Sequence, residues 1–268
     1  MGADVKILRN RIKSVDSTLH LTKAMGLVAS SKMRRALRNM NSMREYASSV
    51  ENAVKILTRS PECRKSPYMQ ERDTGRTRLV LIAGDRGLAG GYNSNVLKLA
   101  KQCPDAEIYP IGKRACEKYD AEFVSSENFT YEEAAEMAKK YCEDFRNGEF
   151  DRLGIITTKY VSMLSQEAMI KWILPLKKDD EPASGSVIFE PDESTVLSML
   201  AEQYVASAIL REVRESYASE NAARKNAMDS AGKNAQEMVD NLTVQYNRAR
   251  QGMITQEITE IVAGAGES

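Results

Sequence analysis

The longest regular pattern in the chain lies near its C-terminal end. No proline occurs between Ser194 and Val262, and Met228, Ala231, Ala235, Met238 and Leu242 recur at spacings of three and four, which is typical of a coiled-coil helix. Pro191 and the acidic and hydroxyl residues that follow it mark the start, and Gly264 and Gly266 mark the end. At about 1.5 Å per residue, this stretch predicts a helix roughly 100 Å long.

The N-terminal end of the chain provides a second helix of the same kind. The alternating spacing of three and four selects Val5, Leu8, Ile12, Val15, Leu19, Thr22, Gly26, Ala29, Met33, Ala36, Met40, Met43, Ala47, Val50, Val54 and Leu57. All of these except Thr22 and Gly26 are apolar, so the two helices are expected to form a long antiparallel coiled coil. If Leu57 lies opposite Ser194, then Met1 lies opposite a residue near 250.

This pairing leaves the end of the second helix without a partner in the chain. The side chains concerned are those of Met253, Ile254, Ile258, Ile261 and Val262, named here the apolar tip. Burial of each such side chain contributes about 1.5 to 3 kcal/mol. We therefore expect another protein to cover the apolar tip.

The residues between the two helices alternate between strand and helix patterns, which favours a Rossmann-like α/β domain with a parallel sheet. The predicted strands are 77–83, 107–111, 152–159, 166–175 and 186–189, and the predicted helices are 93–102, 113–119 and 130–145, the last with a capping box. The predicted domains are 1–59 (N-terminal coiled-coil helix), 60–76 (linker or exposed loop), 77–190 (central α/β domain) and 191–268 (C-terminal coiled-coil helix).

A glycine-rich loop, Gly84–Asn93, follows the first predicted strand and precedes a helix, which is the context of many phosphate sites. Neither of the two common glycine-rich nucleotide motifs fits it. A structural turn or a subunit contact is the favoured interpretation, and no cofactor is predicted. The residues assigned to this loop are Gly84, Asp85, Arg86, Gly87, Gly90, Gly91 and Asn93.

Catalytic and metal-binding patterns are weak. The four cysteines have no C-x-x-C spacing, and His20, the single histidine, lies on the first helix without a nucleophile placed beside it. No apolar run approaches twenty residues, so no membrane span is predicted. We predict a non-enzymatic protein without a metal.

Charge is distributed unevenly although the formal net charge is zero. Residues 1–60 contain twelve Lys and Arg against four Asp and Glu, whereas residues 191–268 contain seven against twelve. The first helix carries a positive band made of Lys23, Lys32, Arg34, Arg35, Arg38 and Arg44. An acidic protein surface is one possible partner, and nucleic acid is the alternative, in which the chain is a coiled-coil binding module.

Three stretches together resemble the gamma subunit of F-type ATP synthases. These are Arg9–Ala36, the glycine-rich loop, and Tyr246–Val262, of which the last is the most specific. The sequence departs from the family pattern at Gly26, Ala89 and Gly252, and it lacks the cysteine-bearing insertion of plastid members. The N-terminus has no apolar signal core, so we expect neither a secretory signal nor a transit peptide.

The resemblance implies a rotary central stalk that couples ion flow to conformational cycling of catalytic beta subunits. Its implied partners are the alpha and beta subunits, the epsilon subunit and the membrane c-ring, with no nucleic acid, at the cytoplasmic side of a bacterial cell membrane. Arg250 and Gln251 would contact a beta-subunit loop, and Met25 with Lys23, Lys32, Arg34 and Arg35 would face acidic beta-subunit segments. Thr255, Glu257 and Glu260 are further implied contacts.

Overall fold

The structure is a computed structural model that describes residues 2–72, 74–179 and 189–265. The chain divides into two compact units, one formed by residues 1–29 and 225–268 and the other by residues 30–224. Two long helices, α1 (Gly2–Arg59) and α5 (Glu193–Ala265), contribute residues to both units. Each unit is described separately.

In the unit of residues 1–29 and 225–268, the helices pack against each other with opposite chain directions. Gly26 approaches Met228 and Asp229, and Thr22 approaches Gly232. This register differs by about three residues from the expected one. The predicted positions on α1 from Val5 to Ala29 are all buried or half-buried, so the heptad pattern identified the contact face of this helix.

The contact face of α5 in the same unit differs from the prediction. Gly232 is buried and Val239 is half-buried, whereas Met238, predicted to lie in the contact, is 46% exposed. From Met228 the buried positions step by four and then three, through Gly232 to Ala235, instead of by three and then four. Gly232 lies opposite Thr22 of α1, whose hydroxyl oxygen would be 3.5 Å from a Cβ atom added to the glycine.

The unit of residues 30–224 contains the α/β body, which is built on a four-stranded sheet in the order β2-β1-β3-β4. Its elements are β1 (Thr77–Ile82), α2 (Tyr92–Lys101), β2 (Glu107–Ile111), α3 (Lys113–Tyr119), α4 (Tyr131–Arg146), β3 (Arg152–Tyr160) and β4 (Gln166–Leu174). The predicted capping box is present, because Thr130 and Glu133 bond reciprocally at the start of α4. The strand predicted at 186–189 falls on residues of which 186–188 lie outside the described ranges.

The expectation of a parallel sheet is correct for three strands and wrong for β4. Strands β2 and β3 both pair in parallel with β1, whereas β4 pairs antiparallel with β3. Only Val161–Ser165 connects β3 to β4. A parallel pairing needs a crossover of a dozen or more residues, so this short connection produces a hairpin.

The two central strands, β1 and β3, are buried on both faces of the sheet, as the mainly apolar sequence of β1 requires. Val80 and Ile82 point into a core that includes Phe145 of α4 and Leu197 of α5. The alternate residues of β1, Leu79 and Leu81, pack in a second cluster with residues of α2. The successive side chains of one strand thus supply two separate cores.

The segment 60–76, expected to be a linker or exposed loop, is partly folded onto this body. It contains two short 3₁₀ turns, Cys63–Lys65 and Pro67–Met69. Cys63 and Tyr68 are fully buried, and the ring of Tyr68 stacks at 6.2 Å from that of Phe145. The other predicted domain boundaries stay predictions.

Candidate partner-binding surfaces

The glycine-rich loop is held by bonds between its own residues. The side-chain oxygen of Asn93 accepts a hydrogen bond from the Gly84 N–H at 2.9 Å, and its nitrogen donates to the Arg86 carbonyl at 3.1 Å. Leu88 and Gly90 have positive φ angles of 59° and 57°. The Asn93 side chain therefore joins the end of the loop to its first residues.

Asp85 connects this loop to two other segments of the body. Its carboxylate accepts hydrogen bonds from the N–H groups of Lys113, Ser126 and Glu127 and from the Ser125 hydroxyl. Burial alone would raise the pKa of Asp85, but these donors outweigh it and hold the pKa below its ordinary value. These bonds tie the loop to the start of α3 and to residues 125–127, which supports a structural role for the loop.

Helix α5 packs against the glycine-rich loop. The hydroxyl groups of Tyr92 and Ser216 lie 2.6 Å apart, and the guanidinium of Arg224 donates to the Gly87 carbonyl at 3.3 Å. Arg224 also pairs with the carboxylate of Glu220, which is only 2% exposed. Burial raises the pKa of Glu220, while Arg224 opposes that rise.

Two cations of the positive band of α1 form ion pairs within the chain. Lys32 forms an ion pair of 2.5 Å with Glu127, and Arg44 forms one of 2.8 Å with Glu215. Arg34, Arg35 and Arg38 are exposed. In the other unit, Lys23 is exposed and Met25 is half-buried. Lys32 and Arg44 can therefore meet a partner only by breaking these ion pairs.

The predicted contact residues of α5 all lie at the surface. Arg250, Gln251, Thr255, Glu257 and Glu260 are exposed. The Thr255 hydroxyl donates to the Gln251 carbonyl at 2.9 Å, and Gln256 donates to Glu260 at 2.9 Å. These bonds are local to the helix, so each side chain can exchange them for a partner group at little cost.

The apolar tip is exposed, as its position in the sequence led us to expect. Met253 is half-buried and is the last described position of the contact face, whereas Ile254, Ile258, Ile261 and Val262 are 44%, 56%, 71% and 66% exposed. Four adjacent β-branched apolar side chains on one helix end are typical of a surface that another protein covers.

The remaining candidates for chemistry show no arrangement for catalysis. His20 is exposed and lies 3.7 Å from Asp16. Cys63 and Cys142 are buried, and burial raises their pKa to about 11 and about 12. Within the described ranges, no group of three or more His, Cys, Asp or Glu could hold a metal ion. None of the described helices combines the length and the apolar character that crossing a membrane requires.

Sequence reasoning missed several polar residues that organise the body. Glu127 accepts bonds from Lys32 and from the Tyr217 hydroxyl, and Glu215 accepts from Arg44 and from the Tyr160 N–H. Their partners lie far away in the sequence, so local patterns do not reveal them. One signal was available, because polar residues interrupt the apolar face of α5 between Val213 and Met228.

The fold defines a class of protein with a long helix at each end of the chain and an α/β body between them in the sequence. The ATP synthase family model matches residues 4–266. The chain is 36% identical to the ATP synthase gamma chain of Geotalea daltonii, with 98% of each chain covered. It is also 36% identical to the sodium-ion-specific gamma chain of Acetobacterium woodii, with 99% of each covered. It therefore belongs to the ATP synthase gamma-chain family.

Solved structures agree with this fold. A chain of the Euglena gracilis mitochondrial ATP synthase, in a structure of its OSCP, F1 and c-ring parts, gives a TM-score of 0.67 at 18% identity, with 98% of this chain and 94% of that chain covered. A central stalk and c-ring structure from Tetrahymena thermophila gives 0.60 at 22% identity, covering 79% and 99%. The family confirms a non-catalytic central-stalk subunit of a rotary, membrane-associated ATP synthase, in preference to a nucleic-acid-binding module.

Proposed function

We propose that the hairpin of residues 1–29 and 225–268 turns inside a head of alpha and beta subunits, while the α/β body binds the epsilon subunit and the membrane c-ring. The exposed apolar tip is the observation that carries this proposal. The complex would lie at the cytoplasmic side of a bacterial cell membrane, because the relatives named above from Geotalea and Acetobacterium are bacterial chains.

Rotation can drive catalysis only if each orientation of the hairpin binds the open and closed states of a beta subunit differently. The hairpin meets this requirement because its surface is not uniform. Lys23 lies on α1, whereas Arg250 and Gln251 lie on α5, and all three are exposed. The head would therefore encounter different side chains as the hairpin turns.

The resemblance to the gamma-subunit family assigns these exposed residues to partners, and their chemistry is compatible with that assignment. Arg34 and Arg35 on α1, together with Lys23, suit acidic segments of beta subunits. Lys32 would have to exchange Glu127 for such a segment, so its contribution depends on that competition. Met25 adds an apolar contact, and Thr255, Glu257 and Glu260 supply hydrogen-bonding groups near the apolar tip.

Replacement of Arg250 by alanine tests the proposed polar contact. Arg248 is a matched control, because it is an exposed arginine of the same helix two residues away, on a different face. In complexes reconstituted with alpha and beta subunits, Arg250→Ala should lower ATP turnover several-fold, and Arg248→Ala should not. The helicity of the isolated variants should be unchanged. Normal turnover of Arg250→Ala complexes would contradict the contact.

Deletion of residues 254–268 tests the role of the apolar tip. The truncated chain keeps every described contact between the two helices up to Met253. Assembly with the head, or the torque that the assembled complex develops, should fall. A truncated chain that assembles and turns like the full chain would show that the tip needs no cover.

A further inference from the structure

The buried surface of α5 changes character along its length within the α/β body. Leu197, Ala201, Val205 and Ile209 are apolar and fully buried. Between 212 and 224 the buried side chains include polar ones on more than one side of the helix, and five of these bond to the strands or to the glycine-rich loop. These are Glu212, Glu215, Ser216, Ser219 and Arg224, named here the polar interface.

Each member of the polar interface bonds to the sheet or to the glycine-rich loop. Lys171 of β4 donates to Glu212 at 3.1 Å, and the Ser219 hydroxyl donates to the Thr158 carbonyl of β3 at 3.0 Å. Ser216 meets Tyr92, and Arg224 donates to the Gly87 carbonyl. The bonds therefore extend over more than three turns of the helix and reach three separate segments of the body.

Glu215 lies in the middle of this row and joins three elements at once. The same carboxylate oxygen accepts from the Tyr160 N–H at the end of β3, at 3.1 Å, and from the guanidinium of Arg44 on α1, at 2.8 Å. The side chain of Glu215 is 9% exposed. Both long helices are thus fixed to the last residue of one strand through a single buried group.

Apolar and polar contacts resist a twisting force differently. The free energy of burying apolar surface has no directional term, so the orientation of an apolar contact is set only by the fit of the packed side chains. Hydrogen bonds weaken steeply when their angles change, and they are stronger in a buried, less polar environment. A row of buried directional bonds therefore fixes the angle of a helix about its own axis.

We propose that the polar interface is the joint that carries torque between the α/β body and α5, and that Glu215 is its central positioning residue. The chain passes from the unit of residues 30–224 to the other unit only along α1 and α5, so any torque must leave the body through these two helices. This inference rests on the proposed rotation. It adds where within the chain the torque is transmitted.

The test compares Glu215→Gln with Glu51→Gln in the whole ATP synthase complex. Glutamine keeps an acceptor for the Tyr160 N–H but removes the charge that holds Arg44. Glu51 is the control, because its ion-pair partners, Arg211 at 3.0 Å and Lys55 at 3.2 Å, both lie on the two long helices, and only Arg211 connects it further, through Glu212, to the sheet. Two quantities are measured in assembled complexes: ions pumped per ATP hydrolysed, and the angular fluctuations of a bead attached to the body while the head is held.

For Glu215→Gln we expect ATP hydrolysis without load to stay within twofold of the unchanged chain. Ions pumped per ATP should fall at least twofold, and the variance of the bead angle should rise at least twofold. Glu51→Gln should change neither quantity. A purely stabilising role for Glu215 would lower the fraction of assembled complexes and leave both quantities unchanged, and that result would overturn the proposal.

If the Glu215→Gln chain fails to assemble, Arg44→Gln provides the same test from the partially exposed side of the ion pair. Wild-type values of both quantities for Arg44→Gln would also overturn the proposal. The proposed rotation has its own test. If it is wrong, ATP hydrolysis will not turn the bead even in complexes with the unchanged chain. A different result would refute the polar interface but not the rotation. In that case the unchanged chain turns the bead, and the variance of the bead angle is the same in Glu215→Gln and Glu51→Gln complexes.

Discussion

The carboxylate of Glu220 fills the space in which a side chain on Gly84 would begin. A Cβ atom added to Gly84 would lie 2.6 Å from the carboxylate carbon of Glu220 and 2.7 Å from one of its oxygens. Glu220 cannot move aside freely, because it is buried and pairs with Arg224, which also holds the Gly87 carbonyl. The absence of a side chain at position 84 lets α5 pack against the glycine-rich loop.

Replacement of Gly84 by alanine should therefore destabilise the body. Overpacking of this kind typically costs about 1 to 3 kcal/mol, and a lower urea midpoint at constant m-value would measure it. Gly87→Ala is the control from the same loop. Its added Cβ would meet only the end of the exposed Arg114 side chain, at 3.4 Å, so a change within about 0.5 kcal/mol is expected. Equal midpoints for the two variants would contradict the close approach.

Replacement of Asp85 by asparagine should change how stability depends on pH. The folded pKa of Asp85 lies below its unfolded value of about 3.9. Between these two values the unfolded chain binds more protons, so the stabilisation is complete above the unfolded pKa and is lost as pH falls through the folded pKa. The variant lacks this titration. Its amide also keeps only one of the two acceptor oxygens, so either the Glu127 N–H or the N–H groups of Lys113 and Ser126 lose their acceptor.

Urea unfolding between pH 7 and pH 3 measures this difference. At pH 7, Asp85→Asn should be less stable by roughly 1.5 to 3 kcal/mol, the usual size of a hydrogen bond to a charged group. The difference in the free energy of unfolding between the variant and the unchanged chain should become smaller below about pH 4. Two curves that run parallel down to pH 3 would show that the Asp85 carboxylate carries no extra stabilisation in its charged form.

The two long helices could be predicted because their signal is local and repeated many times. Every predicted contact position of α1 is buried or half-buried. The contact face of α5 was harder to predict. Met228, Ala235 and Leu242 are seven residues apart, so the position between the first two can be either three or four residues after Met228. The position of Thr22 opposite Gly232 decides between them, and this information lies on the other helix.

The polar contacts of the body could not be predicted in the same way. Arg44 and Glu215, and likewise Lys32 and Glu127, are far apart in the sequence, and a charge on a helix is usually a solvated one. Only the fold shows that these charges meet. The run of cations on α1 could be predicted, whereas the particular carboxylates that pair with Lys32 and Arg44 could not.

Two glycines in the long helices should be replaceable with a gain in stability. A Cβ on Gly252 would meet nothing within 4 Å, and one on Gly26 would make ordinary contacts of 3.4 Å and 3.7 Å with Asp229 and Met228. Alanine is favoured over glycine inside a helix by about 0.5 to 1 kcal/mol. Thermal unfolding of each variant, followed by circular dichroism at 222 nm, should show a higher midpoint.

Gly232 provides the contrasting case. It is buried against Thr22, whose hydroxyl would lie 3.5 Å from an added Cβ, so there is room for a methyl group but not for a large side chain. Gly232→Leu should destabilise the hairpin by about 1 to 3 kcal/mol. A leucine variant as stable as the Gly252→Ala chain would show that the two helices are farther apart than described.

Substitution at the apolar tip should weaken assembly with the head without changing the stability of the isolated chain. Ile258 and Ile261 are 56% and 71% exposed in the isolated chain, so the double change Ile258→Gln with Ile261→Gln should leave its thermal midpoint unaltered. If the head buries both side chains, the lost burial of about 1.5 to 3 kcal/mol each corresponds to at least a tenfold weaker association.

Met199, 68% exposed on the same helix but outside the tip, is the matched control, and Met199→Gln should associate within twofold of the unchanged chain. Titration of alpha and beta subunits against labelled chains measures both affinities, and equal weakening by the two substitutions would mean that the tip is not the covered surface.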